Sequence, residues 1–308
     1  MKKILRIRIF LLLAFSLLCQ AVFPAPFSAA TKPFYIAATI FPLADIIRNI
    51  AGAAAQVIQI LPAGASPHTF DLTPGKVREL QKARIIFKIG VIDDWIDGVA
   101  ESVPGAEIVS LQNHVALKPF HDGAHHHDGV KTSPSQEFDP HYWLDARNGV
   151  IMTQNICARL SAFDPAHADL YSKNSQRYQQ ELLRLDNELK KACAALKNNK
   201  IIVFHDGWRY FAAAYGLEII AVFQPAPGRE PAPRDLQKLY AQARTYKIKA
   251  VFSEPQLPTA SLEPLLEDLG LPLLILDPLG GAAADDSYIK LLRRNVQAIL
   301  RADGLQNP

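Results

Sequence analysis

Short apolar segments alternate with longer amphipathic segments in two separate stretches of this chain. The apolar segments are rich in β-branched residues and cover residues 34–39, 56–61, 84–90 and 107–110, then 200–204, 218–223, 249–253 and 272–276. The amphipathic segments cover residues 43–50, 75–83 and 93–101, then 207–215, 234–246, 262–269 and 286–300. Such alternation is typical of βαβ units with a parallel sheet. The pattern therefore predicts an α/β fold with two lobes, each with a four-stranded, mainly parallel sheet flanked by helices.

One apolar stripe runs through the segment between these two stretches. Its residues recur at steps of seven, four or three: Tyr171, Tyr178, Leu182, Leu185, Leu189, Ala192 and Leu196. A coiled coil is one alternative, but between two lobes the stripe is better used by packing along both of them. We therefore predict a rigid linking helix over residues 164–198, about 50 Å long at roughly 1.5 Å per residue. It would join an N-terminal lobe at 31–163 to a C-terminal lobe at 199–308.

The first 30 residues have the composition of a secretory signal peptide. Four Lys or Arg among the first eight residues precede an apolar run at 9–18, and small residues favour cleavage after Ala30. The apolar run is shorter than the roughly 20 residues that span a bilayer, which argues against a membrane anchor. Cys19 offers a lipid attachment site, but the bulky Leu18 before it disfavours a lipoprotein. We expect an exported, soluble mature chain.

The positive charge of the sequence belongs to this leader. The whole chain has a net charge of +3, from 33 Lys and Arg against 30 Asp and Glu. Without the four basic residues of the leader, 29 basic residues face 30 acidic ones, so the mature chain has a net charge of −1. Nothing in this balance indicates a nucleic-acid partner.

Five of the nine histidines lie between residues 121 and 145. Four of them belong to a polar segment at 120–137 that is rich in Asp and Gly: His121, His125, His126 and His127. This segment cannot build a core, so it is expected to be a loop that binds metal weakly, although a merely solvated loop is the alternative. The fifth, His141, lies among aromatic residues and a proline, which would hold its imidazole in one place. Neutral imidazole is a favoured ligand of zinc and its neighbours in the first transition row.

Three further residues with metal-binding side chains follow predicted strands. His68 comes after the second strand, His205 ends the first strand of the second lobe, and Asp277 ends its last strand. In open parallel sheets, ligands bind beyond the carboxyl ends of the strands. With His141, two candidates come from each lobe, so they can meet only in the cleft between the lobes. Three imidazoles and one carboxylate make a tetrahedral site of the kind that zinc accepts.

Five phrases of this sequence resemble those of the periplasmic zinc- and manganese-binding proteins of ABC transporters. In chain order they are SPHTFDLTPGKVRELQKA, DPHYWLD, VFHDGWRYFAAAYGL, AVFSEPQLP and LDPLGG, and the likeness covers essentially the whole mature chain. The resemblance implies two four-stranded α/β lobes joined by a rigid helix. It also implies metal ligands at His68, His141 and His205 and at a carboxylate, for which Asp277 is the matching position.

The resemblance also bears on the identity of the metal. Manganese members of the family tend to carry Glu where this chain has His205, and zinc members have a similar His-rich insertion, so zinc is expected and manganese is the alternative. In some zinc members water replaces the aspartate, which leaves Asp277, water and Glu254 open as the source of the fourth ligand. Glu254 could instead support another ligand from behind. His114 and His167 lie outside every phrase and are expected to be ordinary surface residues.

The function implied is a periplasmic solute-binding protein that captures Zn²⁺ and delivers it to an ABC permease with its ATPase. We expect a monomer that meets the membrane only through the permease. A secreted zinc hydrolase is an alternative from another class, but it needs an open coordination position and a general base, and the HExxH motif that often supplies them is absent. An adhesin that uses the metal structurally is a third alternative. The sequence therefore predicts a transport protein and not an enzyme.

Overall fold

The computed structural model of the protein describes residues 33–119, 138–224 and 233–305. Its strands are β1 (Phe34–Ala38), β2 (Ala55–Gln59), β3 (Ala83–Lys88), β4 (Glu107–Ser110), β5 (Lys200–His205), β6 (Glu218–Gln224), β7 (Val251–Ser253) and β8 (Leu273–Ile275). Its α-helices are α1 (Phe41–Ala51), α2 (Pro74–Leu80), α3 (Ala146–Phe163), α4 (Ala168–Cys193), α5 (Arg209–Tyr215), α6 (Pro233–Thr245), α7 (Glu263–Leu269) and α8 (Tyr288–Ala302). Short 3-10 segments include Val91–Ser102 and Tyr142–Leu144.

The strands form two parallel sheets of the same design. The first has the order β2-β1-β3-β4 and the second has the order β6-β5-β7-β8. Every strand pair within them is parallel, as the alternation of apolar and amphipathic segments predicted. The two-lobed α/β fold expected from the sequence is confirmed. Because ligands of open parallel sheets bind beyond the carboxyl ends of the strands, a binding site is expected at those ends.

Each sheet buries both of its faces, but one core serves both lobes. In β1, Ile36 and Ala38 belong to a large central cluster, while Ala37 between them belongs to a smaller cluster on the other face. In β5, Val203 contributes to the same central cluster, and Phe204 faces a separate outer cluster. The alternation follows the period of two along a strand. The central cluster therefore continues from one sheet to the other through the helices that lie between them.

Helix α4 links the two lobes and packs along this shared core. Its predicted stripe is buried from Tyr171 to Leu189, and the helix contacts α1 of the first lobe and α8 of the second. The helix is shorter than the predicted range of 164–198, because a 3-10 turn at Pro165–His167 precedes it and it ends at Cys193. Its 26 residues span about 39 Å rather than about 50 Å.

Helix α3, which packs against α4, was not predicted from the sequence. Asp145 caps its start by accepting a hydrogen bond from the Arg147 backbone N–H at 2.8 Å. Its buried face includes Asn148, Gly149 and Thr153, so the apolar stripe that identifies a buried helix is interrupted. Gly149 is required there, because a Cβ atom would come within 2.8 Å of the Tyr288 ring. None of the helices in the described ranges combines the length and apolar character needed to cross a bilayer.

Candidate metal centre

Three histidines from three separate parts of the chain meet in one cleft. His68 lies in the loop between β2 and α2, His141 directly precedes the 3-10 turn Tyr142–Leu144, and His205 is the last residue of β5. The Nε2 atom of His141 lies 3.3 Å from Nε2 of His68 and 3.4 Å from Nε2 of His205. One ligand atom from each residue falls within 4.8 Å of the other two. The three predicted histidines therefore converge through the same ring nitrogen.

A buried carboxylate holds His141 from behind. Asp139 Oδ1 accepts hydrogen bonds from the backbone N–H of His141 at 2.9 Å and from its ring Nδ1 at 2.8 Å. Asp139 is fully buried, so this pair is shielded from water. A carboxylate at Nδ1 favours the tautomer with its proton on Nδ1 and leaves the Nε2 lone pair free for a ligand. Asp139 was not among the site residues predicted from the sequence.

Glu254 plays the same part for His205. Its Oε1 accepts a short hydrogen bond from Nδ1 of His205 and a second hydrogen bond, of 2.8 Å, from Nε1 of Trp208. Both Glu254 and His205 are buried. Of the two roles that the sequence left open for Glu254, this geometry corresponds to the supporting one.

The surroundings of His205 and His68 shift the pKa values of the two imidazoles in opposite directions. Burial alone would lower the pKa of His205, but the adjacent Glu254 outweighs it and the pKa is raised. His68 is exposed as a residue, although its ring faces the other two. Loss of water around this ring, followed by the influence of His141 and His205, lowers the pKa of His68 to about 3. The His68 imidazole therefore stays neutral to low pH, whereas His205 is protonated first as the pH falls.

Asp277, the predicted carboxylate ligand, lies outside this cluster. Its Oδ1 accepts hydrogen bonds from the backbone N–H groups of Leu279 and Gly280, both at 3.0 Å, and from Nε2 of Gln256 at 3.2 Å. It therefore holds the turn after β8 in the conformation described. Its assignment as a ligand stays a prediction.

The two other histidines within the described ranges, His114 and His167, do not join the cluster. Nδ1 of His167 donates a hydrogen bond to Oδ2 of Asp164 at 2.7 Å near the start of α4, and His114 lies in the loop after β4. The predicted accessory residues lie outside the described ranges: His121, His125, His126 and His127. The predicted signal peptide lies outside them too.

Mostly apolar side chains, together with two amides and two hydroxyls, line the cleft around the three imidazoles. The walls of the cleft include Pro67, Trp143, Leu257, Pro258, Pro278, Leu279, Gln224 and Gln256. The Trp143 ring lies 5.2 Å from that of His141, and its Nε1 donates to the Pro278 carbonyl at 2.7 Å. Residues from both lobes thus fix the walls. Such a site can bind a cation through three neutral nitrogens in a partly dry cleft.

Removing the charge of Glu254 should change how metal binding depends on pH. Because Glu254 raises the pKa of His205, protons displace metal at a higher pH than they would from an ordinary imidazole. In Glu254→Gln this displacement should move to lower pH, while zinc affinity above it falls about 10- to 100-fold. Competition with a coloured chelator across the titration range of histidine measures both. Exposed Glu263→Gln is the control, and an unchanged pH profile in Glu254→Gln would contradict the assignment.

Comparison with known proteins places this chain among components of metal transport systems. The sequence model of the family "Zinc-uptake complex component A periplasmic" (ZnuA) matches residues 36–302. The manganese ABC transporter substrate-binding lipoprotein PsaA of Streptococcus pneumoniae is 28% identical in an alignment 323 residues long, which covers 99% of this chain and 99% of that protein. The high-affinity zinc uptake system protein ZnuA of Brucella abortus (strain 2308) is 27% identical over 297 residues, covering 84% and 88%. A crystal structure of ZnuA has a TM-score of 0.77 at 27% identity, covering 88% of this chain and 99% of that one.

Proposed function

Because this chain belongs to the ZnuA family of periplasmic zinc-uptake components, we propose that it captures Zn²⁺ in the periplasm and delivers it to the permease of an ABC transporter. Its general class follows from the family: it is a metal-binding substrate-binding protein of an ABC transporter. Its relatives are solute-binding proteins and not enzymes, so the secreted hydrolase is excluded. The metal and its ligands are the subject of the proposal.

The spacing of the three nitrogens is the observation that carries the choice of zinc. Zinc–imidazole bonds are roughly 2.0–2.1 Å long, so two nitrogens of a tetrahedral site lie about 3.3–3.4 Å apart. The two Nε2 separations at His141 are 3.3 and 3.4 Å. Without a cation, lone pairs this close would repel one another. The proposed ligands are therefore His68, His141 and His205.

The chemistry of the ligands also favours zinc over manganese. Imidazole nitrogens follow the Irving–Williams order, in which manganese binds most weakly, and manganese prefers oxygen ligands. The relatives include both metals by name, since PsaA is a manganese protein and the Brucella protein a zinc one. Manganese is therefore the competing candidate.

The choice of zinc over manganese does not depend on the identity of the fourth ligand. Asp277 would have to release the turn at Leu279 and Gly280 in order to reach the metal. Glu254 would have to release His205 and Trp208. A ligand from outside the chain requires neither change.

The expected surroundings of this protein complete the proposal. A leader at 1–30 would direct the chain to the periplasm, where it would work as a monomer with a permease and its ATPase. The weak sites of the loop at 120–137 would bind additional zinc. A lipid anchor at Cys19 is the alternative to a free mature chain, and PsaA is named as a lipoprotein.

Metal preference is the experiment that tests this function. Metal-free mature protein should bind one zinc ion at the cleft several orders of magnitude more tightly than manganese, because the proposed ligands are nitrogens. Titration with each metal against a competing chelator measures the two affinities, and native mass spectrometry gives the number of ions bound. His205→Glu should lower zinc affinity and narrow the difference between the zinc and manganese affinities. Equal affinities in the unmodified chain would overturn the zinc assignment.

A further inference from the structure

His68 is the least supported of the three proposed ligands. A buried carboxylate accepts a hydrogen bond from Nδ1 of His141, and another accepts one from Nδ1 of His205. Within the parts of the chain that the structure describes, the ring of His68 makes no hydrogen bond to a carboxylate, and the residue is exposed. The position of this imidazole therefore depends on how the loop that carries it is held.

One side chain outside the loop holds the backbone next to His68. Among the described residues, a single hydrogen bond joins residues 62–72 to another part of the chain, besides the contact between the His68 and His141 rings. It runs from Nε1 of Trp95 to the carbonyl oxygen of Pro67 over 3.2 Å. Pro67 is buried and directly precedes His68, so this bond fixes the peptide unit from which the ligand extends.

Trp95 also contacts the chain on the other side of His68. Its ring lies 5.0 Å from that of Phe70 at an angle of 64°, which is the edge-to-face arrangement that aromatic pairs favour. Both rings pack against the smaller buried cluster of the first lobe. Positions 67 and 70 are therefore anchored on one side chain, and His68 lies between them.

The segment that carries Trp95 is well fixed in the first lobe. It is the 3-10 segment Val91–Ser102, in which Asp94 and Asp97 flank Trp95. Both carboxylates pair with the ammonium group of Lys88, which is 9% exposed and needs such partners for its charge. Trp95 can therefore hold the loop in a defined place relative to the end of β3.

All three tryptophans of the chain lie close to the proposed ligands. The ring of Trp143 lies 5.2 Å from that of His141, and Trp208 donates to the carboxylate that holds His205. Trp95 is the third, and its bond to the residue before the remaining ligand gives it the corresponding place. An indole carries one N–H donor on a large rigid ring, so it can anchor a loop with little loss of its own conformational freedom.

We propose that Trp95 is a positioning residue for zinc binding, which holds His68 where its Nε2 atom can complete the three-nitrogen site. Metal then binds to a loop that is already ordered. Without this anchor, metal would have to order the loop as it binds, and that loss of conformational freedom would lower the affinity. The inference rests on the proposed function and adds to it a residue that touches no metal.

Trp95→Phe tests this role, because it removes the indole N–H and keeps an aromatic ring beside Phe70. Zinc affinity of the metal-free mature chain, measured by competition with a chelator, should fall about 10-fold through loss of one hydrogen bond. In a His68→Ala chain the same substitution should change the affinity by less than about twofold, because the ligand that it positions is gone. Tyr171→Phe is the matched control and should bind zinc as the parent chain does, since it removes a buried hydroxyl donor to Asp164 near the start of α4.

Phe70→Leu provides a second, independent test of the same anchor. It removes the ring contact with Trp95 and keeps an apolar side chain. It should also lower zinc affinity, and this loss too should shrink to less than about twofold once His68 is alanine. Circular dichroism shows which variants fold, and if Trp95→Phe does not, the comparison in Phe70→Leu decides.

The outcomes separate this inference from the function on which it rests. Parental zinc affinity in the folded variants would overturn the positioning role and leave metal capture intact. An equally large loss with and without the His68 imidazole would overturn it too, because it would show a general effect on the first lobe. If the unmodified chain binds no zinc, the proposed function itself is wrong.

Discussion

Replacement of His205 by alanine is expected to weaken zinc binding more than about 100-fold. Loss of a supporting partner alone typically costs about 10- to 100-fold in metal affinity, and His205 is itself one of the proposed ligands. The substitution would also leave Glu254 buried beside an empty space, since its Oε1 pairs with the His205 ring. A 100-fold loss corresponds to about 3 kcal/mol. Competition titration with a zinc chelator at neutral pH measures it.

The same experiment on the other histidines tests the whole cluster. His68→Ala and His141→Ala should also lose zinc affinity, with the larger loss for His141, which is buried and held by Asp139. His114→Asn is the matched control, because His114 lies outside the cluster at a φ of 65°, which asparagine tolerates. If His205→Ala binds zinc as tightly as the parent chain, the three-histidine site is wrong.

Replacement of Gly207 by alanine should disable the site without removing a ligand. A Cβ atom on Gly207 would lie 2.5 Å from both Cε1 and Nε2 of His205 and 3.2 Å from Cδ2 of His141. The His205 ring cannot swing away freely, because Glu254 holds its Nδ1. Overpacking of this kind typically costs about 1–3 kcal/mol, which is roughly a 10- to 100-fold loss of zinc affinity.

Gly98→Ala is the control for this substitution. Gly98 has no heavy atom within 4 Å of the added Cβ, and its φ is not in the left-handed region. Circular dichroism should show that both variants fold, while chelator competition should show a loss only for Gly207→Ala. Parental affinity in a folded Gly207→Ala chain would mean that the His205 ring does not need its present position.

The sequence predicted the fold well because burial on both faces of a parallel sheet leaves a strong local signal. All eight predicted strands exist, and their bounds differ from the observed ones by a few residues at most. Helix α3 was not predicted because Gly149 and Thr153 interrupt the apolar pattern of its buried face. The length of the linking helix was overestimated because the apolar stripe continues to Leu196, beyond the end of the helix at Cys193.

For the candidate site too, some residues could be predicted from the sequence and others could not. The three histidines follow predicted strands and recognisable phrases, so their meeting could be anticipated. The sequence raised a supporting role for Glu254 as one of two alternatives. The choice between them depends on the orientation of the His205 ring, which a sequence separation of 49 does not reveal. Asp139 did leave a local signal, since it precedes His141 by only two residues. The hydrogen bonds that occupy Asp277 come partly from Gln256, on another strand end, and could not be read from the chain.

The core shared by the two sheets makes the lobes one cooperative unit. Ile36 and Val203 belong to the same buried cluster although they lie in different lobes. Separate lobes with separate cores could melt one after the other, whereas loss of either half here exposes the apolar surface of both. His68 and His205 belong to opposite lobes, so a form in which one lobe has unfolded would lose the proposed metal site. Bound zinc would then raise the melting temperature of the entire chain by mass action.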